Sequence, residues 1–344
     1  MTGKKLLLFT FDYELFLGDR SGSAQDCLIT PTDHLISLLH KYDFKAYFFV
    51  DTVYLLRLKE AALVNPLAKA DLDRIYSQLV QIVKKGHEIY PHIHPHWLDA
   101  IYDATINEWC LTEKRYYKFS SISQDLQTSL FEESVKIIHS ILALANQKQP
   151  VDSYRAGGWS IQPFNNFIPW FLKYGIKHEF SVLPGMYQFS DAQSFDFRRA
   201  PENQAIYPFH EDTCLKDETG PFTEWTISSI ILNRYEKWFD FKISGFLNRT
   251  GRRPTLKGKG VSSIINKEGD SRSGRGHRRV IASFEGLNLF RVKKYITAIS
   301  KLEYFHFISH PKIISPYDFR MVDNMFGKLK AKFEIQTDFR KTIS

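Results

Sequence analysis

Cysteine, long apolar runs and nucleotide-binding loops are scarce or missing in this sequence. Only Cys27, Cys110 and Cys214 occur in 344 residues. They form no close-set pattern, and any disulfide would strand one of them. That excludes a disulfide-stapled scaffold and suits a reducing compartment. No apolar stretch approaches the roughly 20 residues that cross a bilayer. The run that opens the chain is broken by Asp12 before it reaches the length of a secretory leader, so it reads as a first strand and the protein as cytoplasmic. A strand-linked Gly-x-Gly-x-x-Gly, a P-loop and a Gly-x-Ser-x-Gly elbow are all missing, which argues against dehydrogenase, nucleotidase and serine-hydrolase chemistry.

What is present is the composition of a globular chain, 43% hydrophobic and 24% charged. The aromatic share of 15% supplies core volume first and platforms for sugar rings second. The net charge of +8 is local. Residues 248–279 hold ten Lys or Arg against Glu268 and Asp270, a surplus of eight, so the remaining 312 residues balance. With six glycines in the same stretch, it reads as a flexible insertion. Its functional reading is a cationic arm toward phosphate, on a nucleotide carrier or at an anionic membrane face. Nucleic acid is disfavoured, because no aromatic residue interleaves with the charges.

Strand and helix patterns alternate from the start. Lys5–Asp12 is a buried-strand run. Thr30-Pro31 opens a helix with Leu35, Leu38, Leu39 and Tyr42 on one face. A strand over 45–51 is followed by a helix carrying Leu72, Ile75, Leu79, Ile82 and Val83, closed by Lys84, Lys85 and Gly86. Strands are predicted at 88–93, 153–156, 280–284 and 304–309, with weaker ones near 179–183 and 224–228. Helices are predicted near 126–145, 164–174, 292–302 and 316–330. Seven or eight strand–helix units imply an α/β fold whose parallel sheet closes, or nearly closes, into a barrel, here one domain over 1–344.

Chemistry in such barrels gathers at the carboxyl ends of strands, and four predicted strand ends carry polar groups. In Thr10-Phe11-Asp12-Tyr13-Glu14 alternation turns Asp12 and Glu14 to one side and Tyr13 away. Two carboxylates on one face repel unless a cation lies between them. Pro91-His92-Ile93-His94-Pro95-His96-Trp97 places His92 and His96 four apart, on one side in either an extended or a helical backbone. His94 joins them if the chain stays extended, as Pro95 favours. With a carboxylate from Asp12 or Glu14, two histidines make the triad that holds a divalent metal and leaves positions open. Arg155 and His310 close two further strands.

These segments resemble the polysaccharide deacetylases of carbohydrate esterase family four. Thr10-Phe11-Asp12 is similar to the start of the family's first motif, His92-Ile93-His94-Pro95-His96 to its second, Tyr154-Arg155-Ala156-Gly157-Gly158-Trp159 to its third, and Phe307-Ile308-Ser309-His310-Pro311-Lys312 to its fifth. The resemblance implies a distorted parallel (β/α)7-type barrel and metal-dependent removal of an N-acetyl or related acyl group from a sugar. It implies a divalent transition metal, zinc first, then cobalt, nickel or iron, held by His92, His96 and a carboxylate. Asp12 would be the base, steered by Arg155, and His310 the acid. Tyr13 stands where the family has its metal-binding aspartate, so that role passes by strand periodicity to Glu14, and the two carboxylates could trade places. His94, Trp97 and Trp159 flank the site as supports or substrate contacts. For a fourth motif Asp196, Glu211 and Asp212 are the candidates. The implied partner is an acetylated amino sugar or glycan, on a nucleotide or lipid-phosphate carrier, during assembly of a surface polysaccharide. Two alternatives remain open: a hydrolase of a small amide, imide or formamide on the same fold, and a catalytically silent glycan- or phosphate-binding protein.

Overall fold

The first strand, β1 (Lys5–Tyr13), is buried at all nine positions, as a strand covered on both faces must be. The structure, a computed structural model, describes residues 4–111, 115–116, 118–190, 193–252, 269–270 and 277–342. Eight more strands complete the main sheet: β2 (Tyr47–Asp51), β3 (Glu88–Ile93), β4 (Ser153–Ala156), β5 (His178–Glu179), β6 (Ile206–Phe209), β7 (Phe222–Trp225), β8 (Tyr304–Ser309) and β9 (Ile335–Gln336). Their order is β6-β7-β5-β4-β3-β2-β1-β8, with β9 against the start of β1. Every pairing is parallel except β6 with β7.

The sheet curls, and backbone hydrogen bonds bridge its far sides. The Ile227 N–H donates to Val182 O at 2.8 Å, just beyond β5, and the Ser228 N–H to His306 O on β8 at 3.2 Å. Ala282 then links Ser228 O (2.9 Å) to the Ile308 N–H (3.0 Å). The architecture is therefore α/β with a curled, mainly parallel sheet. Alternation of strand and helix is regular up to the short helix Ile168–Tyr174. It lapses over 180–225, where antiparallel ribbons replace a helix.

Period two on β1 sorts its side chains. Leu7, Phe9, Phe11 and Tyr13 face the outer helices, where Phe9 meets Phe44 and Phe326 at ring distances of 5.2 and 5.0 Å. Tyr13 points outward as expected, its hydroxyl donating to Gln78 Oε1 at 2.8 Å. Leu6 and Leu8 face the interior and pack with Tyr47, Phe49, Tyr90, Phe180 and Trp225 into an apolar plug. Thr10, Asp12 and Glu14 continue that inner face upward, so one strand passes from plug to polar mouth within a few residues.

The helices predicted from Thr30, from Leu72, and near 126–145, 292–302 and 316–330 are observed as Thr30–Lys41, Pro66–Lys84, Gln124–Ala145, Leu289–Lys301 and Pro316–Lys332. Two helices had no counterpart in the sequence reading: Thr52–Ala62, and Arg234–Arg249, started by a capping box between Asn233 and Glu236. Of the basic insertion, 253–268 and 271–276 lie outside the described residues. The three cysteines are free thiols. Among the described residues no helix is long and apolar enough to cross a membrane.

Candidate metal centre

Four strand ends converge as the sequence pattern demands. Arg155, fully buried at the end of β4, organises the floor. Its Nη1 donates to Asp12 Oδ1 at 2.6 Å, Nη2 to Thr10 Oγ1 at 2.7 Å and Nε to Phe180 O at 3.0 Å, while its guanidinium stacks 4.3 Å over the Phe49 ring. Beside it His306 meets Thr10 Oγ1 with Nε2 (2.8 Å) and Thr226 O with Nδ1 (3.1 Å). Burial, and then the neighbouring Arg155 charge, push this imidazole down to about 3, so it packs as a neutral ring.

The carboxylates sit above. Burial works to raise the pKa of Asp12, but the Arg155 charge, with His92 and His310, outweighs it and holds the group well below the usual carboxylate range. Glu14 is buried as well, and Lys312, then His94, keep it ionised against that burial. The Lys312 ammonium donates to Glu14 Oε1 at 2.8 Å and to Leu15 O at 2.7 Å. Sequence reasoning gave Lys312 no role, although it lies two residues after His310.

Three candidate ligand atoms meet at the mouth. His94 Nε2 lies 2.8 Å from Glu14 Oε2 and 3.0 Å from His92 Nε2, and His92 Nε2 lies 3.6 Å from Glu14 Oε2. Among the described residues, Glu14, His92 and His94 form the one such group that could hold a metal ion. The spacing fits. Two ligands each about 2.1 Å from a tetrahedral ion sit roughly 3.4 Å apart, and the three observed separations bracket that value. His92 Nδ1 faces Arg155 O at 2.9 Å, so in the neutral ring the proton sits on Nδ1 and Nε2 turns its lone pair toward Glu14 and His94.

The trio differs from the set expected in sequence, which paired His92 with His96. The backbone changes character midway. His94 is extended (φ −114°, ψ 96°), and a 3-10 turn over Pro95–Asp99 begins immediately after it. Neither a continuous strand nor a continuous helical turn runs from His92 to His96. His94 therefore shares the face of His92, and His96 lies buried to one side with its ring 5.0 Å from that of His94. A side chain at Gly157 would place its Cβ 2.2 Å from Ile93 O and 3.0 Å from His94 Nδ1, so only glycine lets the loop after Arg155 pass behind this histidine.

His310 closes the other side. Its Nε2 is 3.4 Å from Asp12 Oδ2 and 3.6 Å from Glu14 Oε1, and its Nδ1 is 2.8 Å from Glu285 Oε1. The Glu285 carboxylate also accepts the His310 backbone N–H at 2.7 Å. Burial lowers the imidazole, but Glu285 and then Asp12 raise it overall to about 10. Glu285, the carboxylate that holds His310, is one that sequence reasoning missed. Its signal was available, an acid directly after the predicted strand 280–284. The candidates weighed instead, Asp196, Glu211 and Asp212, line a separate cavity of about 520 Å³ with Gln162 and Phe195.

Trp97 and Trp159 part company. Trp97 is fully buried, donates its indole N–H to Asp51, and packs 4.9 Å from Tyr54. Of the two roles open to it, support fits this burial. Asp51, pushed up to about 6 chiefly by burial, ties that indole to the start of the helix Thr52–Ala62. Trp159 is half-buried, with its ring edge-on to Phe195 at 5.6 Å.

No protein-family model matches the chain, and no curated protein matches it in sequence. Among solved structures it is similar to a proposed polysaccharide deacetylase from Mycobacterium smegmatis, at 11% identity and a TM-score of 0.46 over 100% of this chain and 90% of that one. It is similar to a 4-alpha-glucanotransferase from Thermococcus litoralis at 13% identity and a TM-score of 0.46, over 98% of this chain and 38% of that one. A third is the catalytic domain of a peptidoglycan N-acetylglucosamine deacetylase from Eubacterium rectale, at 12% identity and a TM-score of 0.39, over 98% and 90%. These overlaps assign no residue a role; the side chains above carry the chemistry.

Proposed function

We propose that the chain is a metal-dependent hydrolase that removes an N-acetyl or related acyl group from a sugar. One observation carries this reading: a carboxylate–imidazole trio lies between an arginine-held aspartate and a glutamate-held histidine, all within one buried mouth. The motif resemblance supports the same assignment. On this reading the chain is a single catalytic unit on a seven-unit barrel with an insertion at 248–279. It acts in the cytoplasm on an acetylated amino sugar or glycan that a nucleotide or lipid phosphate carries.

Glu14 and His92 would hold the ion, zinc or another divalent transition metal, with His94 as third ligand by distance or His96 by its spacing from His92. An ion held there supplies Lewis acidity toward a carbonyl oxygen and acidifies water. Asp12, fixed through Oδ1 by Arg155, presents Oδ2 to accept the proton of the attacking water. His310, kept protonated by Glu285 and Asp12, delivers a proton from Nε2 to the departing amine. Glu285 fixes the ring so that Nε2 faces the mouth. Trp159, half-buried, would be the ring that meets the sugar.

Lys312 favours a second reading. Its ion pair with Glu14 satisfies one carboxylate oxygen without any metal, which suits a silent saccharide-binding protein. Elemental analysis after dialysis, combined with acetate release from a panel of N-acetylated sugars, separates the two. The hydrolase reading expects about one transition-metal ion per chain, lost in His92→Ala, together with acetate release. Comparing His94→Ala with His96→Ala identifies the third ligand by which one empties the site. A wild-type chain that takes up no zinc, cobalt or nickel on reloading sinks the hydrolase and leaves the binder.

A further inference from the structure

The helix Arg234–Arg249 carries four of its five aromatic residues on the wrong side for a core. Tyr235, Trp238, Phe241 and Phe246 are 82%, 61%, 70% and 52% exposed. At 100° per residue they share one broad face. The opposite face is the anchored one. Asp240 is buried there and accepts from Arg291 Nε at 2.9 Å, Arg291 Nη2 at 2.8 Å and Asn288 Nδ2 at 3.0 Å. Glu236 is held by the Lys294 ammonium at 2.6 Å and by its own capping box. Both acids of the helix are thus turned toward the body of the protein.

The charges left on the outer side have one sign. Arg234, Lys237, Lys242, Arg249 and Arg252 are all exposed, and Lys242 and Arg252 lie 5.6 and 5.8 Å from the rings of Trp238 and Phe246. Large aromatic side chains set among lysine and arginine are the composition of an interfacial helix, whose rings enter the headgroup boundary while its cations meet lipid phosphates. Self-association explains the face less well. A two-fold contact through it would set these cations against their own copies.

We infer that this helix docks the protein on an anionic lipid bilayer. The docking face is tied to the catalytic mouth. Asn288, which bonds Asp240, lies three residues after Glu285, the carboxylate that holds His310. Membrane contact would therefore anchor at the bilayer the segment that runs from Glu285 to Asn288. If the hydrolase reading holds, and this consequence rests on it, the substrate is a glycan anchored by a lipid phosphate and not a free or nucleotide-linked sugar.

The test is co-sedimentation of the full chain with vesicles of phosphatidylcholine, with and without phosphatidylglycerol. The wild type binds the mixed vesicles and not the neutral ones, and added salt weakens the binding. The double variants Trp238→Ala/Phe241→Ala and Lys237→Glu/Lys242→Glu each weaken partitioning by about tenfold or more. Both fold as the wild type does by circular dichroism, because all four side chains are exposed. Absence of wild-type binding to anionic vesicles, or equal binding by the variants, overturns the inference. So does a wild-type dimer in sedimentation equilibrium that Trp238→Ala/Phe241→Ala converts to a monomer, since the face then belongs to a second copy. Acetate release from a soluble N-acetylated saccharide is expected to be unchanged in both variants. A chain that binds vesicles yet holds no metal and releases no acetate keeps the docking helix and loses the hydrolase.

Discussion

Two pairs of carboxyl groups lie buried in this molecule, and their surroundings treat them in opposite ways. Asp12 and Glu14 occupy alternate positions at the end of β1, where Arg155 and Lys312 reach them at 2.6 and 2.8 Å and three imidazoles crowd in. Both are held below the usual carboxylate range. Glu179 and Glu224 stand directly opposite each other on β5 and β7. Glu179 accepts the Ser181 N–H and hydroxyl at 2.8 and 2.5 Å, and Glu224 accepts the Val182 N–H at 3.3 Å. No lysine or arginine bonds either of them among the described residues. Burial first, and then each other's proximity for Glu224, push both upward. Buried acids are thus not a mark of function by themselves. Charge survives burial only where cations have been brought to meet it, and that costs the fold four strand ends aimed at one point.

The sharpest way to break the comparison is to make the same chemical change, carboxyl to amide, in each pair. Asp12→Asn removes the proton acceptor of the proposed reaction and is expected to lower kcat for acetate release by roughly a thousandfold. Metal content should stay near the wild-type level, because Asp12 lies outside the trio. Glu224→Gln should leave kcat unchanged. If Asp12→Asn retains most of its activity, the base is another group and the two pairs no longer differ in role.

Next in size is the removal of a cation. Arg155→Met leaves Asp12 buried without its partner and strips Thr10 and Phe180 O of a donor. A broken buried pair costs about 3–5 kcal/mol, readable as a fall in the urea midpoint. A loss well under 1 kcal/mol would mean that His310 and His92 suffice to hold Asp12, and that the arginine acts only in catalysis.

Most of the charged pair was legible in the sequence, and none of the pair Glu179 and Glu224 was. Period two places Asp12 with Glu14, and runs of buried-strand residues place His92, Arg155 and His310 at strand ends, so local pattern alone assembles the mouth. That His94 and not His96 lies against Glu14 and His92 was not legible, because that placement turns on a change from extended to 3-10 backbone at Pro95. Glu285 and Lys312 escaped notice as single residues whose partners are distant in the chain. Glu179 and Glu224 meet only through strand pairing across 45 positions, and lone glutamates in weak strands give no warning of burial. The aromatic helix Arg234–Arg249 was overlooked for a different reason. Most of its aromatic side chains face outward, so they lack the meaning that helical periodicity usually carries.

The smallest effect is the most diagnostic of the pair Glu179 and Glu224. Glu224 keeps its proton in the folded state above the pH at which the unfolded chain, near the ordinary value of 4.5, has released it. The native state then binds more protons than the unfolded one, so stability falls as pH rises. The contribution is fully present below the unfolded pKa and is lost as pH climbs through the folded one. Glutamine has no proton to lose, and its amide can donate to Glu179, leaving no carboxylate facing a carboxylate. Glu224→Gln is therefore expected to match the wild type near about pH 5 and to exceed it by on the order of 1 kcal/mol near about pH 8. Thermal or urea midpoints of both proteins across that range measure it. A difference that stays constant with pH would show that Glu224 ionises in the fold as freely as in the unfolded chain. A difference that shrinks as pH rises would show that the pair is held charged after all, by a cation not yet assigned to it.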